Sequence, residues 1–541
     1  MLTEFLSAVG DYWLSYLCHF CTVRYSQNLR GHYAASLNVG GIFLGEVSVL
    51  MPNIFRFFKT TVLFIALNCS VYCVIAAELA PLSYDLVPLA YDKEGLLFTL
   101  EGSNTIGAAL APAWVQAFLE AKGVQGVSVE ALATVNEYRV SGRNGTRRVY
   151  IDIRAHGSTT GFVGLNANTA NLAMASRAIK PDEVQQLRRL GDLLSADAEH
   201  VVGIDGLAVI VNPANPITQL TVDQIAQVFA GKLTNWSQLG GADEVISVHA
   251  RDENSGTFDT FGALVLGKKY SLAKGVTRYE SNDELSDYVA AHTNAIGFVG
   301  LASVRNARAL AVSDGASVAL KPEHIFVATE DYPLSRRLFI YSPEIIPNAL
   351  AAEFVRFAQS GAGQALVEKV GFISQNPISL SIASSEGPVL YQAVARLGQR
   401  LSVNFRFQSG IAELDNKALR DVERLARYLN RPDAANSRVQ LIGFSNLESS
   451  EKRAQVLSRL RAVVVKSALY RQGIRTESVL GFGDNQPVAN VDGASALKNE
   501  RVEVWLLDDA ATQTLENLQR EQELLDMTRA YADLSEFARA K

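Results

Sequence analysis

The sequence predicts an α/β fold followed by a smaller α+β unit, and three observations carry that expectation. Between about 95 and 378, short β-type runs alternate with amphipathic stretches, as in GLLFTLEGS, then TIGAALAPAWVQAFLEAKG, then RVYIDIRAHGS. Strand–loop–helix alternation of this kind places ligand loops at strand ends. The stretch from Ile373 to Pro388 is rich in Ser and Pro without helical period, and a linker is expected over 379–389. Beyond it, from about 390 to 507, the pattern restarts. RLSVNFRFQSG alternates like a strand, LDNKALRDVERLARYLN is an amphipathic helix and RVQLIGFSN a strand. A helix ending in Gly473 and a final strand, ERVEVWLL, complete a βαβαβ sandwich of normal domain size.

The flanking segments read differently. Residues 508–541 are charged and helix-favouring, which predicts a solvated amphipathic tail helix. Residues 51–77 run from Met51 through Arg56 and Lys59 into an apolar stretch from about Thr61 to Ile75, then Ala76 and Ala77. A charged start, an apolar middle and a small-residue end predict a secretory signal peptide. The apolar run falls short of the ~20 residues that span a bilayer. Met51 is then the expected start, residues 1–50 a non-native upstream extension, and the periplasm the expected location. All four cysteines, Cys18, Cys21, Cys69 and Cys73, precede residue 74. The mature chain would thus lack cysteine, which suits an oxidising compartment without needing disulfides. Cys18 and Cys21 have redox spacing but neither a βαβ context nor a second pair for zinc.

Composition bounds the partners. The 541 residues are 48% apolar and 20% charged with net charge −6. There is no basic excess of the kind nucleic acid selects. Net charge says little about small anions, which feel local fields.

Three hydroxyl-rich loops in the first region carry the chemistry. They are Gly102-Ser103-Asn104-Thr105, Gly157-Ser158-Thr159-Thr160-Gly161 and Asn254-Ser255-Gly256-Thr257. Each follows a predicted strand and opens a predicted helix. The first N–H groups of a helix are unpaired and sit at the positive end of its dipole, so an oxyanion fits there without a metal. Ser and Thr add donors, and Gly permits close backbone approach. Arg251 adds a charged fork four residues before Ser255. Ser and Thr are also the usual N-caps, so one such loop would signify little. Three together, one with an arginine, point to a tetrahedral oxyanion. Asp252 and Glu253 either orient Arg251 or face water.

Catalytic patterns are missing from the sequence. It has no GxSxG elbow. GALVLGKK at 262–269 nearly matches a P-loop, but Lys269 stands where Ser or Thr is needed. The seven histidines lack metal-ligand spacing. No enzyme activity, cofactor or metal is therefore expected.

These loops resemble the phosphate-binding protein (PstS) family of ABC-type phosphate uptake. Arg251, Ser255, Gly256 and Thr257 match the family's arginine loop, Ser158 and Thr159 its second loop, and Ser103, Asn104 and Thr105 its first. GIDGLAVIVNPANPITQLTVDQIAQVFAGKLTNW (203–236) and NAIGFVGL (294–301) also look like the family. The resemblance covers residues 95–378 and implies a two-lobed periplasmic binding protein, type II-like, with inorganic phosphate in a hinged cleft and an ABC permease as partner. One position departs. The family's acidic proton acceptor falls on Arg177. Either Arg177 donates to the ligand, adding charge and weakening rejection of sulfate, or it points outward and pairs on the surface.

Residues 390–507 resemble the OmpA-like peptidoglycan-binding domain, through VNFRFQSGIAELD (403–415), LIGFSN (441–446), LSRLRA (457–462), GFGDNQPVANVD (481–492) and KNERVEVW (498–505). The family holds a diaminopimelate zwitterion between an Asp and an Arg. Arg461 matches the helix arginine and Arg501 an arginine of the last strand, but Asn446 replaces the aspartate. The resemblance implies peptidoglycan as partner through a weakened site. The expected function is phosphate binding for uptake or sensing by a protein tethered to the cell wall or outer membrane. The alternative is a wall-associated structural or adhesion protein with a vestigial or less selective anion site.

Overall fold

The computed structural model describes Leu89 and residues 94–539, apart from 254, 383–385, 408–412, 435, 447–449 and 492–493. The expected extension 1–50, the signal 51–77 and the four cysteines lie outside the described residues. Tyr84–Lys541 forms one compact unit.

The first region is built on β1 (Leu96–Gly102), β2 (Gln125–Ala131), β3 (Glu137–Asn144), β4 (Arg147–Arg154), β5 (Leu172–Ala175) and β6 (Glu199–Val211). It continues through β7 (Gln219–Thr221), β8 (Ser247–Arg251), β9 (Thr277–Tyr279), β10 (Ala295–Gly300), β11 (Arg308–Ala309), β12 (Ala311–Ser313) and β13 (Ser335–Tyr341). The main sheet runs β2-β3-β4-β1-β5-β13-β6-β10-β8-β9, with β11 on β6. It divides into two lobes because β6 changes partners halfway. Glu199–Gly206 pairs antiparallel with β13, whereas Leu207–Val211 pairs with β10. The sequence of β6, EHVVGIDGLAVIV, is apolar nearly throughout and is buried along almost its whole length, as a strand covered on both faces must be.

β6 therefore carries the chain from the first lobe to the second, and β13 carries it back beside β5 and the first half of β6. An isolated antiparallel bridge also joins Ile204 of β6 to Ile373. At the crossing Gly206 lets the helix His324–Ala328 lie directly on β6, since a Cβ there would come within 2.8 Å of the Val327 side chain. The first lobe has its own core around Phe98, Trp114, Phe118 and Phe354, and Trp114 donates to the Gly363 carbonyl at 2.8 Å.

The C-terminal sheet has the order β14-β15-β18-β16-β17, built from β14 (Ser379–Leu380), β15 (Gln399–Arg406), β16 (Arg438–Gly443), β17 (Thr476–Gly481) and β18 (Arg501–Leu507). Helices Asn416–Leu429 and Glu451–Arg471 pack on it. Two details differ from the sequence reading. Ser379 and Leu380, read as linker, pair with β15. A helix, Val389–Leu397, precedes the first long strand, and its Tyr391 and Val394 are buried against Trp505 and Phe444. Burial of that apolar face, invisible to a pattern dominated by Ser and Pro upstream, stabilises it. The tail forms the helix Asp509–Arg539, whose Ala511 and Leu515 are buried.

One buried histidine gives the fold a defined acid response. His200 on β6 lies within 3.2 Å of the Ser342 hydroxyl. Burial, with the charge of Arg420 added, pushes its pKa from 6.5 to about 4. Between those values the unfolded chain binds the proton more readily than the folded one, so stability falls as pH drops from about 6.5 to about 4. The expected loss from this group is up to about 3 kcal/mol. Denaturant unfolding of the native chain and His200→Gln at pH 7 and pH 4.5 checks it. The variant should lose less stability on acidification, and equal losses would contradict the assignment.

Candidate functional site

The loop after β1 is fixed by backbone geometry. Gly102 has φ 135° and lies so close to the Met174 carbonyl that a side chain there would collide with β5. The Ser103 N–H donates to that same carbonyl at 2.8 Å. A one-turn helix, Asn104–Gly107, follows, and Ser103 at its start makes no side-chain cap bond. Capping therefore does not account for this serine. The second loop is tied to the first, because the Gly157 N–H donates to the Gly102 carbonyl at 2.8 Å. From there the helix Ser158–Ala167 begins. The Ser158 hydroxyl accepts from the Ser176 N–H at 3.1 Å.

The third loop belongs to the opposite lobe. β8 ends at Arg251, and the Ser255 side chain accepts from the Thr257 N–H at the start of helix Gly256–Phe261. This serine does act as a cap. Arg251 is buried, with Nε donating to the Tyr279 carbonyl at 3.1 Å and Nη2 to the Glu280 carbonyl at 2.6 Å. Burial draws its pKa down, and the charge of Asp252 partly offsets this. Asp252 approaches Arg251 Nη2 at 3.5 Å, while the Glu253 side chain is 74% exposed and meets Arg278 at 3.0 Å. The two acids thus divide between orienting Arg251 and facing water.

The lobes touch at these loops. A Cβ on Gly256 would lie 2.6 Å from the Thr105 Cα. Only glycine permits that approach. The Thr105 hydroxyl lies 3.4 Å from the Gly256 carbonyl. Arg336 on β13 spans the seam, donating from Nη2 to Thr105 Oγ1 at 2.7 Å and to the Gly256 carbonyl at 3.0 Å. Its Nε faces Asp205 on β6 at 3.2 Å, and Thr260 donates to the same carboxylate at 2.9 Å. Sequence reading missed Arg336 and Asp205. Their only signal was a charge inside each of two apolar strands.

Arg177 requires a correction. It was a candidate ligand for the anion, but it donates both arms to Glu183, at 2.7 and 2.8 Å, with its side chain 29% exposed. Its Nη2 also donates to the Thr159 hydroxyl at 3.0 Å. A bidentate carboxylate fixes the guanidinium plane, so Arg177 pairs with an acid, yet it does so beside Thr159 of the second loop rather than on the outer surface.

The C-terminal candidates separate as well. Arg461 donates to the Ser445 hydroxyl at 2.8 Å and meets the Glu500 carboxylate at 2.6 Å. Asn446 donates to Glu500 at 3.3 Å and accepts from Asn499 at 3.0 Å. Asn446 and Arg461 are thus joined through Glu500. Arg501 is not with them. It is 2% exposed, lies over the Phe444 ring and pairs with Glu503 at 3.1 Å. Glu500 lies at the bend before β18 and Arg501 is the first residue of that strand, and the two side chains have different partners. Arg501 is corrected from a shared peptidoglycan site to a buried structural position.

The two lobes crossed by β6 and β13, with helix-opening loops meeting between them, define a periplasmic-binding-protein fold followed by a separate sheet domain. A family profile for the PBP superfamily domain matches residues 101–362, and one for the OmpA family matches residues 406–501. The phosphate-binding protein PstS of Pseudomonas aeruginosa is 30% identical over 305 residues, covering 50% of this chain and 90% of that protein. The phosphate-binding protein PstS of Borreliella burgdorferi is 26% identical over 226 residues, covering 40% and 77%. A crystal structure of an ABC-type phosphate transport receptor from Vibrio cholerae aligns at 25% identity and TM-score 0.40, covering 51% of this chain and 99% of that one. The chain belongs to the PstS phosphate-binding-protein family and carries a C-terminal OmpA domain.

The contact between Gly256 and Thr105 yields a direct prediction. Gly256→Ala should prop the lobes apart without disturbing either core, and small-angle scattering should show a larger radius of gyration. An unchanged radius would mean that the close approach does not set the lobe arrangement.

Proposed function

We propose that the cleft between the lobes binds inorganic phosphate, delivered to an ABC permease or read out as a sensor, in a protein exported to the periplasm. The observation that carries this reading is the meeting of helix-opening loops from opposite lobes at Thr105 and Gly256, with Arg251 buried at the end of β8 just before the third loop. Ser103, Asn104 and Thr105 with Ser158 and Thr159 form one wall, and Ser255, Gly256 and Thr257 with Arg251 the other. Buried donors at helix starts favour a dehydrated anion. Family membership supports phosphate as that anion. Arg177, paired with Glu183, also donates to the Thr159 hydroxyl of the first wall and so holds that loop.

Isothermal titration calorimetry tests this. Phosphate should bind, and Arg251→Ala should weaken it at least 100-fold, equivalent to about 2.7 kcal/mol. Absence of heat with phosphate in the native chain would sink the reading.

The C-terminal domain is proposed to contact peptidoglycan through Arg461, weakly, because Asn446 carries no charge and Glu500 already occupies the guanidinium. A free carboxylate from the wall must displace that internal one. In co-sedimentation with purified sacculi, Glu500→Gln should increase the bound fraction and Arg461→Ala abolish it. No co-sedimentation of the native chain, with no change on Arg461→Ala, would make the domain a spacer, the alternative that the replaced aspartate favours.

A further inference from the structure

We infer that the C-terminal domain is a brace across the hinge, so that anion capture in the cleft and docking of this domain stabilise one another. The inference rests on the phosphate-binding reading for its ligand and on geometry for its mechanism.

The domain grips both lobes. On the first lobe, Asn416 donates to the Leu194 carbonyl at 2.8 Å and Arg420 to the Ala196 carbonyl at 2.9 Å. At the hinge, Arg424 donates to the Gln375 side chain at 2.8 Å, and Asp415 pairs with Arg337 of β13 at 2.8 Å. On the second lobe, the Asn490 N–H donates to Asp314 at 3.1 Å and Pro487 accepts from the Val318 N–H at 3.2 Å. The deepest contact is Asp331, 1% exposed, which receives Arg400 at 2.7 Å, Arg406 at 2.8 Å and Asn404 at 2.9 Å. Burial would raise the pKa of this carboxyl, but Arg400, Arg406 and Arg501 hold it far below the usual carboxylate range. Separating it from those arginines would leave charges buried without partners. The docked arrangement is therefore strongly held on the second-lobe side.

The hinge strand reports both events. Arg336 and Arg337 are neighbours on β13 and point to opposite sides. Arg336 reaches Thr105 and Gly256 in the cleft, while Arg337 reaches Glu330 at 2.8 Å and Asp415. The brace therefore lies on the side of the hinge away from the cleft. Rotating the lobes about β6 and β13 must break its contacts with one lobe or the other. The weaker set is on the first lobe, where Asn416 holds the Leu194 carbonyl and, at 3.2 Å, the Glu199 carboxylate, and Arg420 holds the Ala196 carbonyl. The lobe arrangement that satisfies all these contacts is also the one in which Gly256 meets Thr105. An anion that favours this closed arrangement favours docking, and by linkage docking raises affinity for the anion by the same factor.

The test uses the full chain with Asn416→Ala and Arg420→Ala combined, which removes first-lobe contacts and touches no cleft residue. Circular dichroism establishes that the variant is folded. Titration calorimetry should then show phosphate affinity about five- to tenfold weaker than in the native chain, within the usual range of coupling between sites. In the native chain, saturating phosphate should slow amide hydrogen exchange across helix Asn416–Leu429. Native affinity in the folded variant, with exchange in that helix unmoved by phosphate, would overturn the brace alone and leave the phosphate reading standing. No phosphate binding by the native chain would overturn both. If the double variant does not fold, the exchange measurement on the native chain decides.

Discussion

The ion pair between Arg336 and Asp205 is the interaction on which the two-lobed arrangement depends. Asp205 stands on the strand that leaves the first lobe and Arg336 on the strand that returns to it. Both side chains are 9% exposed, and burial draws the arginine's pKa down while Asp205 draws it up. Neither charge is tolerable there alone. Removing one partner of such a pair typically costs about 3–5 kcal/mol. The spare donors of Arg336 fall on one group from each cleft wall, so the element that joins the lobes also positions the loops that face each other across the seam.

A second constraint is the placement of charge behind the hinge. Asp331 and Glu503 are buried, and Glu330 half-buried, among Arg337, Arg400, Arg406, Arg501 and Lys417. Burial raises the Glu330 carboxyl and the surrounding cations outweigh it, leaving it at about 2. Desolvation, with the charge of Arg406 added, pushes Lys498 down to about 8. A cluster of this kind contributes less to net stability than its ion pairs suggest, because desolvation opposes each one. Its effect is to specify one docking geometry, since any other would strand a charge. That is why Arg501 belongs to the domain interface and not to a surface ligand site.

Much of this was legible in the sequence, and the division follows from physics. The three hydroxyl loops could be read because a helix start is a local event, marked by Gly, Ser and Thr after an apolar strand. The two sheet domains could be read because their periodicity restarts after the Ser- and Pro-rich stretch. What could not be read depends on which residues meet across long separations. Arg336 and Arg337 look alike in SRRLFIY, yet strand alternation sends one to the cleft and the other to the C-terminal domain. Arg177 was placed by counting along a family pattern, but its direction is set by Glu183, six residues later on the first turn of a helix. Glu500 was quoted within a motif without a role, and only the fold brings it to Arg461 and Asn446.

A crystal structure of the full chain grown with phosphate tests the central claim most directly. The account predicts a tetrahedral anion between the lobes, within hydrogen-bonding distance of Arg251 and of the loops at Ser103, Ser158 and Ser255–Thr257, with Arg177 still on Glu183. An empty cleft at saturating phosphate, or an anion held by Arg177 outside these loops, would contradict it.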